Sequence, residues 1–175
     1  MLAIRYLNQA RIRLAQGGGP PPAWPAGPVF EAGAVWMGQH LAMLRQRPLP
    51  ARWPMHHYTY YGYLKYGLSV AGLVGAALAL IPLSYWLLPL ATLGFYLVEV
   101  QFLFLFPLLL EGRARPLRAS CQLTARVGVG RCLGMVLPVA GYMLLEVVRP
   151  GRALHHWHAG CLAILLWYVD EVTAR

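Results

Sequence analysis

Residues 66–110 form a 45-residue stretch with one charged side chain, Glu99. As a single straight helix the stretch would be about 68 Å long, more than twice the roughly 30 Å hydrocarbon core of a bilayer, so it must double back. Pro82 and Pro89 supply the break, because proline cannot donate the helical hydrogen bond, and Tyr85 and Trp86 between them suit the headgroup level. The expectation is a transmembrane hairpin.

Composition limits what can surround that hairpin. The 175 residues are 58% hydrophobic and 12% charged, enough for one compact helical membrane domain and little soluble mass beside it. A separate soluble catalytic domain is not expected. The net charge of +9 comes from arginines in loops and termini rather than from a continuous stripe. Membrane orientation and anionic headgroups account for that distribution better than nucleic acid does, so no nucleic-acid partner is expected. Fourteen Arg against one Lys, with one Asn and four Ile, resembles the codon bias of a GC-rich genome and points to a bacterium. Cys121, Cys132 and Cys161 show neither CxxC nor zinc-type spacing, and no disulfide framework is expected.

The fold expected is an all-α integral membrane protein, a bundle of about four transmembrane helices with an N-terminal interfacial segment. Residues 1–65 are read as cytoplasmic and interfacial, with a Gly/Pro linker over 16–28, and residues 66–175 as the bundle. Within the first part, residues 1–15 suit a short interfacial helix with Met1, Ile4, Leu7 and Leu14 toward lipid. Residues 29–44 are helical too, but Glu31, Gln39 and His40 argue for a helix lying along the surface or tucked under the bundle. Residues 45–65 mix Arg45, Arg47, Arg52 and Lys65 with Trp53, Tyr58, Tyr60, Tyr61 and Tyr63, the composition of a membrane–water boundary.

The spans are placed near 66–82, 90–110, 132–148 and 153–169. The last is the weakest, since 17 residues reach only about 25 Å and its first six include His155, His156 and His158. With both termini in the cytoplasm of a bacterial inner membrane, 13 of the 15 basic residues lie inside. Ala71, Gly75 and Ala79 in the first span, and Gly130 and Gly134 in the third, offer flat faces for close helix approach. Gly128, Gly130 and Gly134 superficially match a dinucleotide loop, but no strand precedes them and no acid follows at the useful distance. Pro138 and Gly141 are expected to bend the third span.

Two groups of residues invite chemistry. Glu99 falls near the bilayer midplane with no Lys or Arg inside a span to pair with, which makes it a candidate proton carrier or a neutral hydrogen-bonding acid beside Gln101. Glu146 and the pair His155 and His158, brought together by the turn between the last two spans, have the donor types to hold zinc or non-haem iron with open positions. His158 alone is a candidate axial ligand for a haem or chlorophyll-like pigment. The same histidines also suit a structural role at the headgroup boundary. His56 and His57 fall on the opposite, cytoplasmic side, and Arg113, Arg115, Arg118, Arg126 and Arg131 form a basic loop suited to lipid phosphate or to orientation alone. No GxSxG, P-loop, HExxH or paired-Cys motif is present.

These features point first to a non-catalytic membrane subunit or interaction protein, packing against lipids, other membrane subunits or a second copy. Phe95, Tyr96, Phe102, Phe104 and Phe106 would form much of its contact surface. The alternative is a membrane-embedded enzyme or cofactor-binding protein acting on a lipid-like substrate through Glu146, His155 and His158, with Glu99 as the deeper proton carrier.

Overall fold

In the computed structural model, which describes residues 2–16, 29–50, 52–145 and 153–173, the hairpin is present. Its first arm is the helix α3 (Met55–Leu80), counted after α1 (Leu2–Ala15) and α2 (Val29–Arg45). Turn residues follow at Pro82, and Ser84 Oγ accepts from the Trp86 amide at 3.3 Å to start a 3-10 turn over Tyr85–Leu90. Tyr85 and Trp86 protrude from this tip, 74% and 93% exposed. The return arm is α4 (Ala91–Glu99), a 3-10 turn at Val100–Phe102, and α5 (Leu105–Leu110). Then come α6 (Pro116–Val127), α7 (Val129–Leu145) and α8 (Ala153–Thr173), and among the described residues there is no strand.

Two segments, Met55–Leu80 and Tyr85–Leu110, are long and apolar enough to cross a membrane, and the bent pair α6 and α7 makes a third if it is one span. Only 11% of the apolar window of α3 is buried by the rest of the chain. A helix this apolar and this uncovered is stable only where something other than water surrounds it. The α8 helix does not reach the same hydropathy. Its ends carry His155, His156, Asp170 and Glu171, yet Ala159, Leu162, Ala163, Leu165, Trp167 and Tyr168 in between are fully buried, so it is the central post of the bundle.

The two arms of the hairpin touch through glycine. A Cβ on Gly72 would fall 2.7 Å from the Gly94 carbonyl, and one on Gly94 would fall 2.5 Å from the Gly72 carbonyl, so the backbones meet where no other residue fits. This contact lies one residue away from the stripe expected from sequence. Ala71, Gly75 and Ala79 are all exposed, and a Cβ on Gly75 would meet nothing within 4 Å. Gly130 and Gly134 are likewise open, leaving the third-span face unused inside the chain.

The basic loop expected over 111–131 is mostly the helix α6. Its Thr124 hydroxyl donates to the Val100 carbonyl at 2.8 Å and its Ser120 hydroxyl to the Gln101 carbonyl at 2.9 Å. The 3-10 turn frees those carbonyls from the regular helical ladder, and two hydroxyls four residues apart on one face recapture them. Arg113, Arg115, Arg118 and Arg126 are left on the exposed side. Gly128, at φ +97°, then turns the chain so that α7 leaves α6 at 100°.

The N-terminal helix is more enclosed than an interfacial helix would be. Ala3, Tyr6, Leu7, Ala10 and Leu14 of α1 are buried, chiefly against α8 and α7, while Ile4 and Ile12 stay exposed. Leu7 and Leu14, expected toward lipid, therefore face protein. The linker at 17–28 and the turn at 146–152 lie outside the described residues.

Candidate ligand-binding cavity

Four helices that the sequence marks as membrane-embedded, α3, α4, α7 and α8, line an opening in the bundle, and a fifth, α2, comes from the N-terminal third. The α2 helix tucks beside α3 and α8, with Phe30 seated in a notch that only Gly62 can provide: a Cβ there would lie 2.5 Å from the ring. Phe30 then stacks on Tyr66 and Phe106, at centroid distances of 5.8 and 6.3 Å. Between α2, α3, α4, α7 and α8 this leaves a cavity of about 430 Å³. Aromatic walls come from Phe30, Trp36, Tyr66, Phe95, Tyr96 and Phe106, and aliphatic ones from Val136, Val139 and Met143. Val29, Leu144 and Trp157 both line the cavity and are exposed, which marks its mouth.

Few polar groups face this space. Lys65 Nζ lies 2.7 Å from Glu99 Oε1; behind the pair, the Ser69 hydroxyl donates to the Lys65 carbonyl at 3.0 Å, with Glu99 Oε2 3.4 Å away. Lys65 is 6% exposed, and its ammonium sits 5.3 Å from the Tyr66 ring centroid and 5.8 Å from that of Phe106. The expectation that Glu99 has no basic partner is thus corrected. It arose because Lys65 was placed in the boundary before the first span, whereas α3 begins ten residues earlier and carries Lys65 into the bundle on the same face as Ser69, one turn on. Glu99 is an ion-paired wall residue, and the pair as a whole is neutral.

Trp36 is the other polar feature. It is 6% exposed and lies between His40 and His158, at centroid distances of 4.1 and 4.7 Å. His40 Nδ1 lies 2.9 Å from the Trp36 carbonyl, and since a carbonyl only accepts, that nitrogen carries the proton. The Trp36 indole Nε1 is buried with no acceptor. Sequence inspection gave no reason to single out Trp36; only the contact between α2 and α8 reveals it.

The Glu146, His155 and His158 set is not assembled within the described residues. Glu146 lies outside them, His155 is exposed, and His158 is buried in the cavity wall against Trp36. His156 turns to Tyr142, at a centroid distance of 4.9 Å. Among the described residues no three His, Cys, Asp or Glu side chains come together to hold a metal ion. His56 contacts His57, and His57 contacts Trp53, at the start of α3; neither histidine lines the cavity. The aromatic surface expected from the second span points inward and is divided: Phe95, Tyr96 and Phe106 line the cavity, while Phe104 is buried against Trp167 and Tyr168.

A second polar cluster organises the C-terminal end of α8. Arg45 grips Glu111 Oε1 through Nε and an Nη at 3.1 and 2.8 Å, and the Tyr168 hydroxyl donates to Glu111 Oε2 at 2.8 Å. Arg131 pairs with Glu171 at 2.6 Å, Trp167 Nε1 donates to the same carboxylate, and Arg5 and Tyr6 reach Asp170. Gly112, at φ +71°, ends α5 so that Glu111 can face Arg45. These contacts fasten α1, α2, α5 and α7 to one post.

No protein-family model, curated protein or solved structure matches the chain.

Proposed function

We propose that this is a non-catalytic integral membrane protein that holds an apolar ligand inside its own helical bundle. The cavity carries the reading: about 430 Å³ of mostly apolar space with an apolar mouth and a charge-neutral polar wall, within the roughly 300–1,000 Å³ typical of small-molecule sites. Water would find few partners there, whereas a hydrophobic molecule arriving from the bilayer would find aromatic faces on several sides.

The finer topology proposed is four crossings, namely α3, the Tyr85–Leu110 segment, α7 and α8, with both termini in the cytoplasm. The exposed arginines of α1 and α6 support this orientation through the positive-inside tendency. The enclosure of α8 by α1, α2 and α7 shields its polar ends. The outer face of α3, where Gly67, Ala71, Gly75 and Ala79 are exposed at every fourth position, suits association with a membrane subunit or a second copy.

The test is to purify the protein in nanodiscs without added ligand and identify extracted small molecules by mass spectrometry. A stoichiometric apolar compound, absent from empty nanodiscs and lost from Ala140→Trp, is the expected result. Equal lipid content in both proteins, with no retained compound, would overturn it. Single-cysteine accessibility at Trp86 and at Arg118 checks the topology, with labelling from opposite sides expected.

A further inference from the structure

Among the described residues every acid is already engaged. Glu31 accepts from the Thr59 hydroxyl, Glu99 pairs with Lys65, and Asp170 and Glu171 are held by Arg5 and Arg131. Glu111, just before the left-handed turn at Gly112, has one oxygen taken by Arg45 and the other by the Tyr168 hydroxyl. Around that turn Arg52, Arg113 and Arg115 are exposed and pair with no carboxylate among the described residues. The backbone brings them together. Arg52 Nη1 donates to the Gly112 carbonyl at 3.1 Å, and its Cβ lies 3.2 Å from where a Gly112 Cβ would be, so Arg52 sits against the residue that precedes Arg113. That bond uses one of the five N–H donors on its guanidinium.

The cluster marks one end of the hairpin, with Arg52 just before α3 and Arg113 just after α5, while Tyr85 and Trp86 form the opposite end. At 1.5 Å per residue the 26 residues of α3 span about 39 Å, about 9 Å more than a hydrocarbon core. With Leu80 at the far boundary, that surplus lifts the start of α3 to headgroup depth, and Tyr60, 62% exposed, falls at the boundary itself. Resting on the reading of both hairpin arms as membrane crossings, we infer that Arg52, Arg113 and Arg115 form a headgroup site for an anionic phospholipid. The planar guanidiniums bind its phosphate oxygens, and its acyl chains lie along the uncovered hairpin. A zwitterionic lipid brings an ammonium along with its phosphate, which three positive charges repel. Orientation needs only a count of arginines on one side, whereas a site needs these arginines together.

The full chain is reconstituted in nanodiscs of equimolar phosphatidylglycerol and phosphatidylcholine, released into mild detergent, and its retained lipids are counted by native mass spectrometry. Retained lipid should favour phosphatidylglycerol by about tenfold, and Arg113→Gln/Arg115→Gln should bring the ratio close to one. Arg52 stays in place because its bond to Gly112 also holds the turn. Both replaced residues are exposed, so the thermal midpoint should not move. Arg11→Gln/Arg13→Gln removes the same charge from exposed positions on α1 and should keep the preference. A preference that both double variants keep, or that both lose, overturns the site, as does a parent that shows none. Release of the lipid by inorganic phosphate would make the ligand a free anion and overturn the lipid assignment. A chain that fails to enter phosphatidylcholine nanodiscs at all overturns the membrane reading on which the site rests.

Discussion

Lys65 and Glu99, 34 positions apart in sequence, form an ion pair at 2.7 Å that joins the two segments long and apolar enough to cross a membrane. Removing one partner strands the other in an apolar wall, whereas removing both leaves nothing to desolvate. Glu99→Ala and Lys65→Met should each destabilise the protein by about 3–5 kcal/mol. The double variant Lys65→Met/Glu99→Leu should recover most of that loss, as read from unfolding midpoints in detergent. Additive losses in the double variant would show that the two side chains do not act as a pair.

Glycine positions that look equivalent in sequence should behave differently. Gly94→Ala drives a methyl against the Gly72 carbonyl and the Ala76 side chain, a backbone contact that cannot rotate away, so a loss of about 1–3 kcal/mol is expected. Gly75→Leu meets open space and should leave the monomer's unfolding midpoint nearly unchanged while weakening association through the outer face of α3. Analytical ultracentrifugation in detergent, paired with thermal unfolding, separates the two effects.

The hairpin was legible because hydropathy, proline placement and the Tyr85–Trp86 tip all mark the same event, the reversal of the chain between two long apolar helices. The helices at 29–44 and near 132–148 were legible for the same local reason. Tertiary pairing was not. A lysine ahead of an apolar run reads as a boundary residue, and nothing local to it reveals Glu99 on another helix. Periodicity likewise marked small residues on α3 but could not say which stripe meets α4, since Gly72 and Gly75 lie on adjacent faces. The role of α6 was hidden because Ser120 and Thr124 answer a defect in a distant 3-10 turn, and Trp36 was hidden because its importance comes from what lies beside it.

The α6 hydroxyls provide a test of that hidden link. Thr124→Val keeps the shape of the side chain but leaves the buried Val100 carbonyl without its 2.8 Å donor, so a loss of about 1–3 kcal/mol is expected. Ser120→Ala should cost a comparable or smaller amount, because its bond to the Gln101 carbonyl is only partly buried. Hydrogen exchange should rise first at residues 100–104, where the turn loses its cap, and not in α3. Uniformly raised exchange across the bundle would assign the two hydroxyls a packing role instead.

The Tyr6 contact makes the docking of α1 dependent on pH. The Tyr6 hydroxyl donates to Asp170 Oδ2 at 2.8 Å. Burial, and then the Asp170 carboxylate, hold the phenol above its ordinary value of 10.0, partly offset by Arg5. A raised value in the fold means that the neutral phenol is the form the fold favours. Its contribution is therefore fully present below about pH 10 and is lost as pH climbs through the folded value. Tyr6→Phe should cost about 1 kcal/mol near neutrality. The gap between variant and parent should close as unfolding is followed to higher pH, with the parent losing stability faster. Proteolysis within α1, which requires its release from α8, should accelerate over the same interval in the parent and show little pH dependence in Tyr6→Phe. A gap that stays constant across the titration would mean that Tyr6 anchors α1 through ring packing alone.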